Sequence, residues 1–403
     1  MASSVRIAGV GATAVGRLGR SAEELAETAL DRALADAGMG RGDLQGLIAV
    51  PSLSNPTFMQ AHQLATRMGL LPRRKMIVRT IDTGGAGPIT SLGTARNMIL
   101  SGWTDTVAVV ASDAVLSMDR ELFRARADDS VRGSGLPSPS IPHGYDRVAQ
   151  WHMARHGVTR EQLAMVPVLF SHFAARHPDA MCRRPFSVED VLASPRVAPV
   201  TNVLECARRA DGAAALVIAS SSYVRRQLAK PLELCPAIVS TGEASGPLYP
   251  PAEIGEEMFS CERAAHIAFE SAQLSVRDID FFALYDCFPI CFLRALEAVG
   301  CCPVGEAGRF VESAYRRLAA TGRLAPEEFP FNTHGGLACF GAPWEVPAMY
   351  GVLEAVAQLT ARAGAERQLS PKPRRALVYG NGGIFSASAV AILGDGVYGA
   401  RGC

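Results

Sequence analysis

The sequence predicts an α/β protein of two similar βαβαβ-type halves in a layered α/β/α arrangement, with a loop domain inserted between them. Three observations predict it. Residues 75–92, KMIVRTIDTGGAGPITSL, read as a buried strand, a glycine hinge and the mouth of a helix, and an apolar strand run follows at 106–111. The plan of 29–50, ALDRALADAGMGRGDLQGLIAV, returns in order at 264–285, AAHIAFESAQLSVRDIDFFALY, with Asp278-Ile279 standing where Asp43-Leu44 stood. A second hinge, FNTHGGLACFG at 331–341, answers TIDTGGAG at 80–87, and its own following strand starts at Ala376.

Taken in order, 5–10 is a first strand. Ser21 opens a helix with Glu24 at capping-box spacing, Leu25, Ala29, Ala33 and Ala37 form its apolar stripe, and Gly38 ends it. Residues 47–50 are a strand leading into the loop PSLSNP. At the hinge, Met76, Ile77 and Val78 are of strand type. Gly84, Gly85 and Gly87 permit close backbone approach, and Pro88 suits a first helical turn. Such a turn presents backbone N–H groups at a helix N-terminus, a place where a nucleophile often sits, yet Gly84, Gly85, Ala86 and Gly87 supply neither thiol nor hydroxyl. From 119 the texture changes: arginines, five of the eight histidines and the break LPSPSIP point to an insertion with helices over 145–155 and 160–176. VAPV at 197–200 and DGAAALVIAS at 211–220 return to strand and belong with the first half. The boundaries drawn are 1–118 plus 198–228 for the N-terminal half, 119–197 for the inserted domain and 229–403 for the C-terminal half.

Composition sets several function classes aside. Forty basic residues against 39 acidic give a formal net charge of +1, so no global field draws the chain to nucleic acid or an anionic membrane. At 403 residues with 48% hydrophobic content it can fill two sizeable cores. No stretch approaches the roughly 18 apolar residues of a membrane span, and MASSVRIAGV lacks a basic segment before an apolar one, so a soluble cytoplasmic protein is expected. Ten cysteines lie scattered, from Cys182 to Cys403, without paired-ligand spacing. Reduced, mostly buried thiols are expected, and no metal site, the adjacent Cys301-Cys302 included.

The repeated plan, the insertion, DGAAA at 211–215, YDCF at 285–288 and the N-x-x-G-G hinge at Asn332 together resemble the thiolase superfamily. More narrowly they resemble its sterol-carrier-protein-type thiolases and thiolase-like relatives, the lipid-transfer-protein and aldolase branch, which share an HDCF or YDCF loop. The resemblance covers nearly the whole chain. It implies the thiolase fold, a loop domain that holds coenzyme A, an acyl-CoA thioester as substrate with no covalently bound cofactor, and a homodimer, here expected through the strand at 106–111. Position by position, the family's nucleophilic cysteine falls on Gly85, which is degenerate. The histidine of its GHP motif falls on Ala342, also degenerate, and its late cysteine falls near Tyr379 or Gly380. The cysteine of the HDCF loop survives as Cys287, while its histidine has become Tyr285.

The expected catalytic set is therefore Tyr285, Cys287 and His334, with Gly84, Ala86 and Asn332 as oxyanion or turn residues. Each has a plainer reading. Tyr285 can be a core-edge aromatic, Cys287 a small buried hydrophobe and His334 a loop residue bonded to a carbonyl. Asp286 reads as a cap, Cys339 as core, Asn332 and Asn381 as loop supports, and Arg183 and Arg184 as a solvated face. Three functions are then open. The first is non-covalent carbon–carbon cleavage or formation, of retro-aldol or Claisen type, on a coenzyme A thioester; thiolase-like aldolases of this kind work with a small partner of the zinc-ribbon and OB-fold type. The second is an acetyl-CoA C-acyltransferase, which Gly85 argues against. The third is a non-catalytic acyl-CoA- or lipid-binding subunit of a thiolase-like complex.

Overall fold

The computed structural model describes residues 4–397, so Cys403 lies outside the described residues. Eleven strands are found among them: β1 (Val5–Ala12), β2 (Gly46–Ala49), β3 (Ile77–Thr80), β4 (Thr106–Ala114), β5 (Arg196–Ala198), β6 (Thr201–Asn202), β7 (Asp211–Ser220), β8 (Ala237–Ser245), β9 (Phe281–Leu284), β10 (Arg375–Gly382) and β11 (Ala387–Gly394). Nine form one mixed sheet in the order β3-β2-β4-β7-β1-β8-β11-β10-β9. The two halves meet at β1 and β8, which pair only at Arg6 and Ala237.

Outward from that seam, the halves match. β1, β7, β4, β2 and β3 correspond to β8, β11, β10, β9 and Phe331, the last reduced to a single parallel bridge with Phe282. The expected repeat extends to detail. The helix Ala22–Ala37 has the Ser21–Glu24 capping box and ends on Gly38 in the left-handed region. It covers β1, β4 and β7, as the helix Cys261–Ala272 covers β8 and β11. The turns Arg41–Asp43 and Val276–Asp278 are both single 3-10 turns, closed by an aspartate on the backbone N–H three residues earlier: Gly40 N–H donates to Asp43 Oδ2 at 2.8 Å, Ser275 N–H to Asp278 Oδ2 at 2.9 Å. Between the halves lie the helices Gly87–Leu100 and Pro347–Leu359. The first packs on β4 and β7 as well as β8, β10 and β11, so it serves both cores.

Two expectations are corrected. The strand at 106–111 is not an edge: as part of β4 it runs between β2 and β7 and is buried throughout. A run apolar on both faces is the mark of a central strand, and the open edge belongs instead to the half-exposed β3. VAPV at 197–200 does not join the first half's sheet. It belongs to the separate β5–β6 ladder, because Pro199 has no N–H to give a sheet and buried Asp146 captures the next two residues, accepting from Val200 N and Thr201 Oγ1 at 2.8 Å each. Residues 119–197 otherwise supply the helices Arg120–Asp129, Ser140–His156, Arg160–Ala174 and Val188–Ala193, and no strand of the nine-stranded sheet. Among the described residues no helix is long and apolar enough to cross a membrane, and no group of three His, Cys, Asp or Glu is placed to hold a metal ion.

Candidate functional site

The first hinge lies against the end of β10, glycine run against glycine run. A Cβ at Gly84, whose φ is +58°, would stand 2.9 Å from the Gly383 nitrogen, and one at Gly382 would overlap the Thr83 carbonyl. This backbone-on-backbone contact accounts for both TGGAG and YGNGG. It brings the mouth of the helix Gly87–Leu100 over the first residue beyond β9, which is Tyr285.

Tyr285 and Gly85 fit one another. A Cβ at 85 would overlap the Tyr285 hydroxyl and stand 2.6 Å from its Cζ and 2.5 Å from the Asn381 carbonyl, closer than the 3.0 Å that real Cβ atoms keep. The phenol thus fills the space where a side chain at 85 would begin. Only 6% of Tyr285 is exposed. Burial, then the Cys287 and Cys291 thiols, then the Glu345 and Asp286 carboxyls push its pKa well above 10. At neutral pH it is a phenol, able to donate a proton and a poor base.

Asp286, the next residue, turns to the second hinge. Its carboxylate accepts from Leu337 N at 3.0 Å and from Asn332 Nδ2 at 3.0 Å, and a Cβ at Gly336 would collide with it. It is the cap the sequence suggested. Burial pushes its pKa up to about 8, with the Leu337 N–H opposing. Asn332, at φ +44°, uses its whole amide on backbone and Asp286: Oδ1 accepts from Leu284 N at 2.8 Å, and Nδ2 also donates to Leu284 O at 2.7 Å. It is therefore a turn residue with no amide proton left for an oxyanion, which corrects half of its expected role. Ala342 is likewise engaged in backbone pairing, its N–H donating to Arg208 O at 2.7 Å.

Cys287 and His334 fall on different sides of Tyr285. The Cys287 thiol sits beside Tyr145 and Cys291, whose own hydroxyl and thiol are pushed well up, by burial first and then by Cys287. His334 lines a cavity with Tyr285, Asp286, Asn332 and Tyr379, but that space is about 10 Å³, room for about one water. Burial brings the His334 pKa down to about 4, Glu354 opposing and Arg367 adding, so the ring is neutral; its Nδ1 has no hydrogen-bond partner among the described residues. Cys339 is core, fully buried.

Two residues at the site were not singled out from the sequence. Tyr145, from the inserted segment, donates to Gly383 O at 2.5 Å, accepts from Asn381 Nδ2 at 2.7 Å and stacks on Phe288 with ring centroids 4.6 Å apart. Its hydrogen-bond partners are more than 230 residues away, so no local pattern could mark it. Glu345 stands within electrostatic reach of Tyr285, Asp82 and Asp113. The signal was present: a lone acid in the otherwise uncharged run GAPWEVP at 341–347.

The geometry is that of a βαβ hinge with a phenol in place of a side chain. Residues 255–395 match the family described as thiolase C-terminal domain-like. The chain is 29% identical to an acetyl-CoA acetyltransferase of Methanothermobacter thermautotrophicus over 90% of this chain and 91% of that one. It is also 29% identical to a steroid side-chain-cleaving aldolase of Thermomonospora curvata, over 87% and 88%. Among solved structures, the Ltp2-ChsH2(DUF35) aldolase superposes with a TM-score of 0.79 at 26% identity, covering 98% of both chains. The fold is the thiolase fold, and the resemblance to the thiolase superfamily, including its thiolase-like aldolases, holds.

Replacing Gly85 by alanine is expected to cost about 1–3 kcal/mol in urea unfolding, the scale of overpacking. The cost should be smaller, though not zero, in a Tyr285→Ala background, because the Asn381 carbonyl remains. Equal costs in both backgrounds would show that the phenol is not what forbids a side chain.

Proposed function

We propose that this chain makes or breaks a carbon–carbon bond β to the carbonyl of a coenzyme A thioester, by retro-aldol or Claisen-type chemistry without an acyl-enzyme. The observation that carries the reading is the Tyr285 hydroxyl lying where a nucleophile borne by residue 85 would have to start. In the cleavage direction, the β-hydroxyl loses its proton, the Cα–Cβ bond breaks, and a carbonyl compound leaves. The bonding pair becomes the thioester enolate, and the Tyr285 phenol protonates its α-carbon, the resulting phenolate regaining a proton from water. The name of the aldolase relative supports this class of reaction, and that of the acetyltransferase relative supports the coenzyme A thioester as substrate. On this reading the segment 119–197 holds coenzyme A, and a small partner of the zinc-ribbon and OB-fold type completes the enzyme, in line with the two-component aldolase among the structural relatives.

Homodimerisation is proposed through β3, whose outer edge is open in the sheet. The exposed Trp103, with the Arg79 guanidinium 5.4 Å from its ring, lies at that edge. Pairing two β3 strands about a two-fold axis would cover both edges at once. Sedimentation should show a dimer that Val78→Pro, which removes a strand N–H, converts to monomer. A wild type that stays monomeric at micromolar concentration rejects the interface.

Incubation with acetyl-CoA should leave the intact mass of the protein unchanged. One added acetyl group mapped to Cys287 or Cys339 would restore the acyltransferase reading.

Against a panel of β-hydroxyacyl and β-ketoacyl thioesters, tested with and without an OB-fold partner, Tyr285→Phe should lower turnover by about a hundredfold or more while thioester binding persists. Undiminished turnover would reject Tyr285 as the proton donor. A wild type inert in every arm would instead favour a non-catalytic subunit.

A further inference from the structure

Glu345 is a carboxyl that the fold does not explain. The other buried acids near the hinges are fully engaged. Asp113 accepts from the backbone N–H groups of Leu53, Ser54 and Ala114 at 2.7, 3.0 and 2.8 Å, Asp286 holds the second hinge, and Asp211 ties Leu18, Leu116 and Ser117. Glu345 has no such duty. Its Oε2 is sealed from solvent and accepts no hydrogen bond among the described residues, and burying a carboxyl that way opposes folding.

Its neighbour Trp344 is held at φ +45°, a left-handed backbone that costs a bulky residue about 1–2 kcal/mol. Its indole packs edge-on against Phe123, at 5.9 Å between centroids, and Phe123 in turn carries the Arg209 guanidinium 4.4 Å from its ring. The next residue, Glu345, lies just before the helix Pro347–Leu359, which packs against the first hinge. Within electrostatic reach of its carboxyl are Asp82, which precedes the turn, Asp113 and the Tyr285 phenol. Burial, then the charges of Asp82 and Asp113, raise its pKa well above that of an ordinary glutamate, with Trp344 the opposing donor. With one oxygen unpaired among the described residues, the first hinge packed against the helix that follows it and the phenol within electrostatic reach, the carboxyl has the surroundings of a group kept for proton transfer.

We propose that Glu345 is the second proton-transfer group of the site, the base that takes the β-hydroxyl proton of the thioester while Tyr285 supplies the proton to the α-carbon. This rests on the carbon–carbon bond reading given above. The balance is complete: the hydroxyl proton passes to the Glu345 carboxylate, the O–H bonding pair becomes the new C=O, the Cα–Cβ pair becomes the enolate, and the Tyr285 proton closes the α-carbon. Glu345 then returns its proton to water. A carboxyl with a raised pKa suits the task, being a stronger base than an ordinary carboxylate when it ionises.

The test is Glu345→Gln in the full chain, with Glu345→Asp beside it, on whichever β-hydroxyacyl thioester the wild type cleaves. Turnover of the glutamine variant should fall about a hundredfold or more with KM little changed, and the acid limb of the kcat–pH profile should vanish; the aspartate variant should keep that limb with a smaller loss. Stability supplies a separate readout. Because the folded-state pKa is raised, the carboxyl opposes folding at every pH above its unfolded value of about 4.3. Glu345→Gln should therefore melt higher than wild type at pH 8 and lose this advantage as the pH falls below about 4. Undiminished turnover in the glutamine variant overturns Glu345 as the base while leaving the reaction class standing. So does a turnover loss accompanied by a lower melting temperature and weaker thioester binding, the mark of a structural role. A wild type inert toward every thioester and partner defeats the reaction class and this assignment together.

Discussion

The structure hangs on two adjacent side chains at the end of β9. Neighbouring residues of an extended chain point to opposite faces, so Tyr285 and Asp286 part company: the phenol enters the first hinge against Gly85, and the carboxylate enters the second against Gly336. Each hinge is glycine at the contact because the dipeptide already fills the space. The two halves are thus locked by more than the single β1–β8 pair, since one dipeptide of the C-terminal half is a packing partner for both hinges. Changing either residue alters both a site and a seam.

The electrostatics of the site are a consequence of that packing. Tyr285, Tyr145, Cys291, Asp286 and Glu345 are crowded together with little water, and each is pushed toward its neutral, protonated form. A site of neutral acids differs from one built on a thiolate. It has proton donors to offer a developing enolate. His334, expected in the catalytic set, lines a cavity of about 10 Å³ together with Tyr285 and Asp286, room for about one water.

Much of this was legible in the sequence, and the parts that were not have a physical reason. The duplicated plan could be read because it repeats local signals: 3-10 turns closed by an aspartate, and glycine hinges. Tyr285 could be picked out by its place at a strand end beside a cysteine. The strand at 106–111 was placed at the edge because an apolar run tells how buried a strand is, not which strands flank it; β7, which covers it, arrives about a hundred residues later. For Asn332 the sequence left an oxyanion role open beside the turn role, because the partner atoms that occupy its amide, on Leu284 and Asp286, come from another strand end. Tyr145 was invisible for the same reason. The reason for Gly85 was also hidden: sequence shows that a side chain is missing, but only the packing shows that the Tyr285 ring takes its place.

The two hinges are the same backbone device, yet they differ in their access to solvent. In the second, Thr333, His334, Gly335 and Gly336 are all buried beneath the helix Pro347–Leu359 and the inserted segment, and Gly335 lies against Ala174. In the first, Asp82 is exposed and Thr83 and Gly84 are partly so, with Gly85 and the phenol directly behind them. The pseudo-equivalent positions thus divide by access. The buried hinge, with a carboxylate under its glycine, is spent on holding Asp286, Asn332 and Leu337 in place. The open hinge has a neutral phenol under its glycine and, within electrostatic reach of it, a carboxyl, Glu345, whose Oε2 accepts no hydrogen bond among the described residues; on the proposed reading, proton transfer to a bound thioester falls to this hinge.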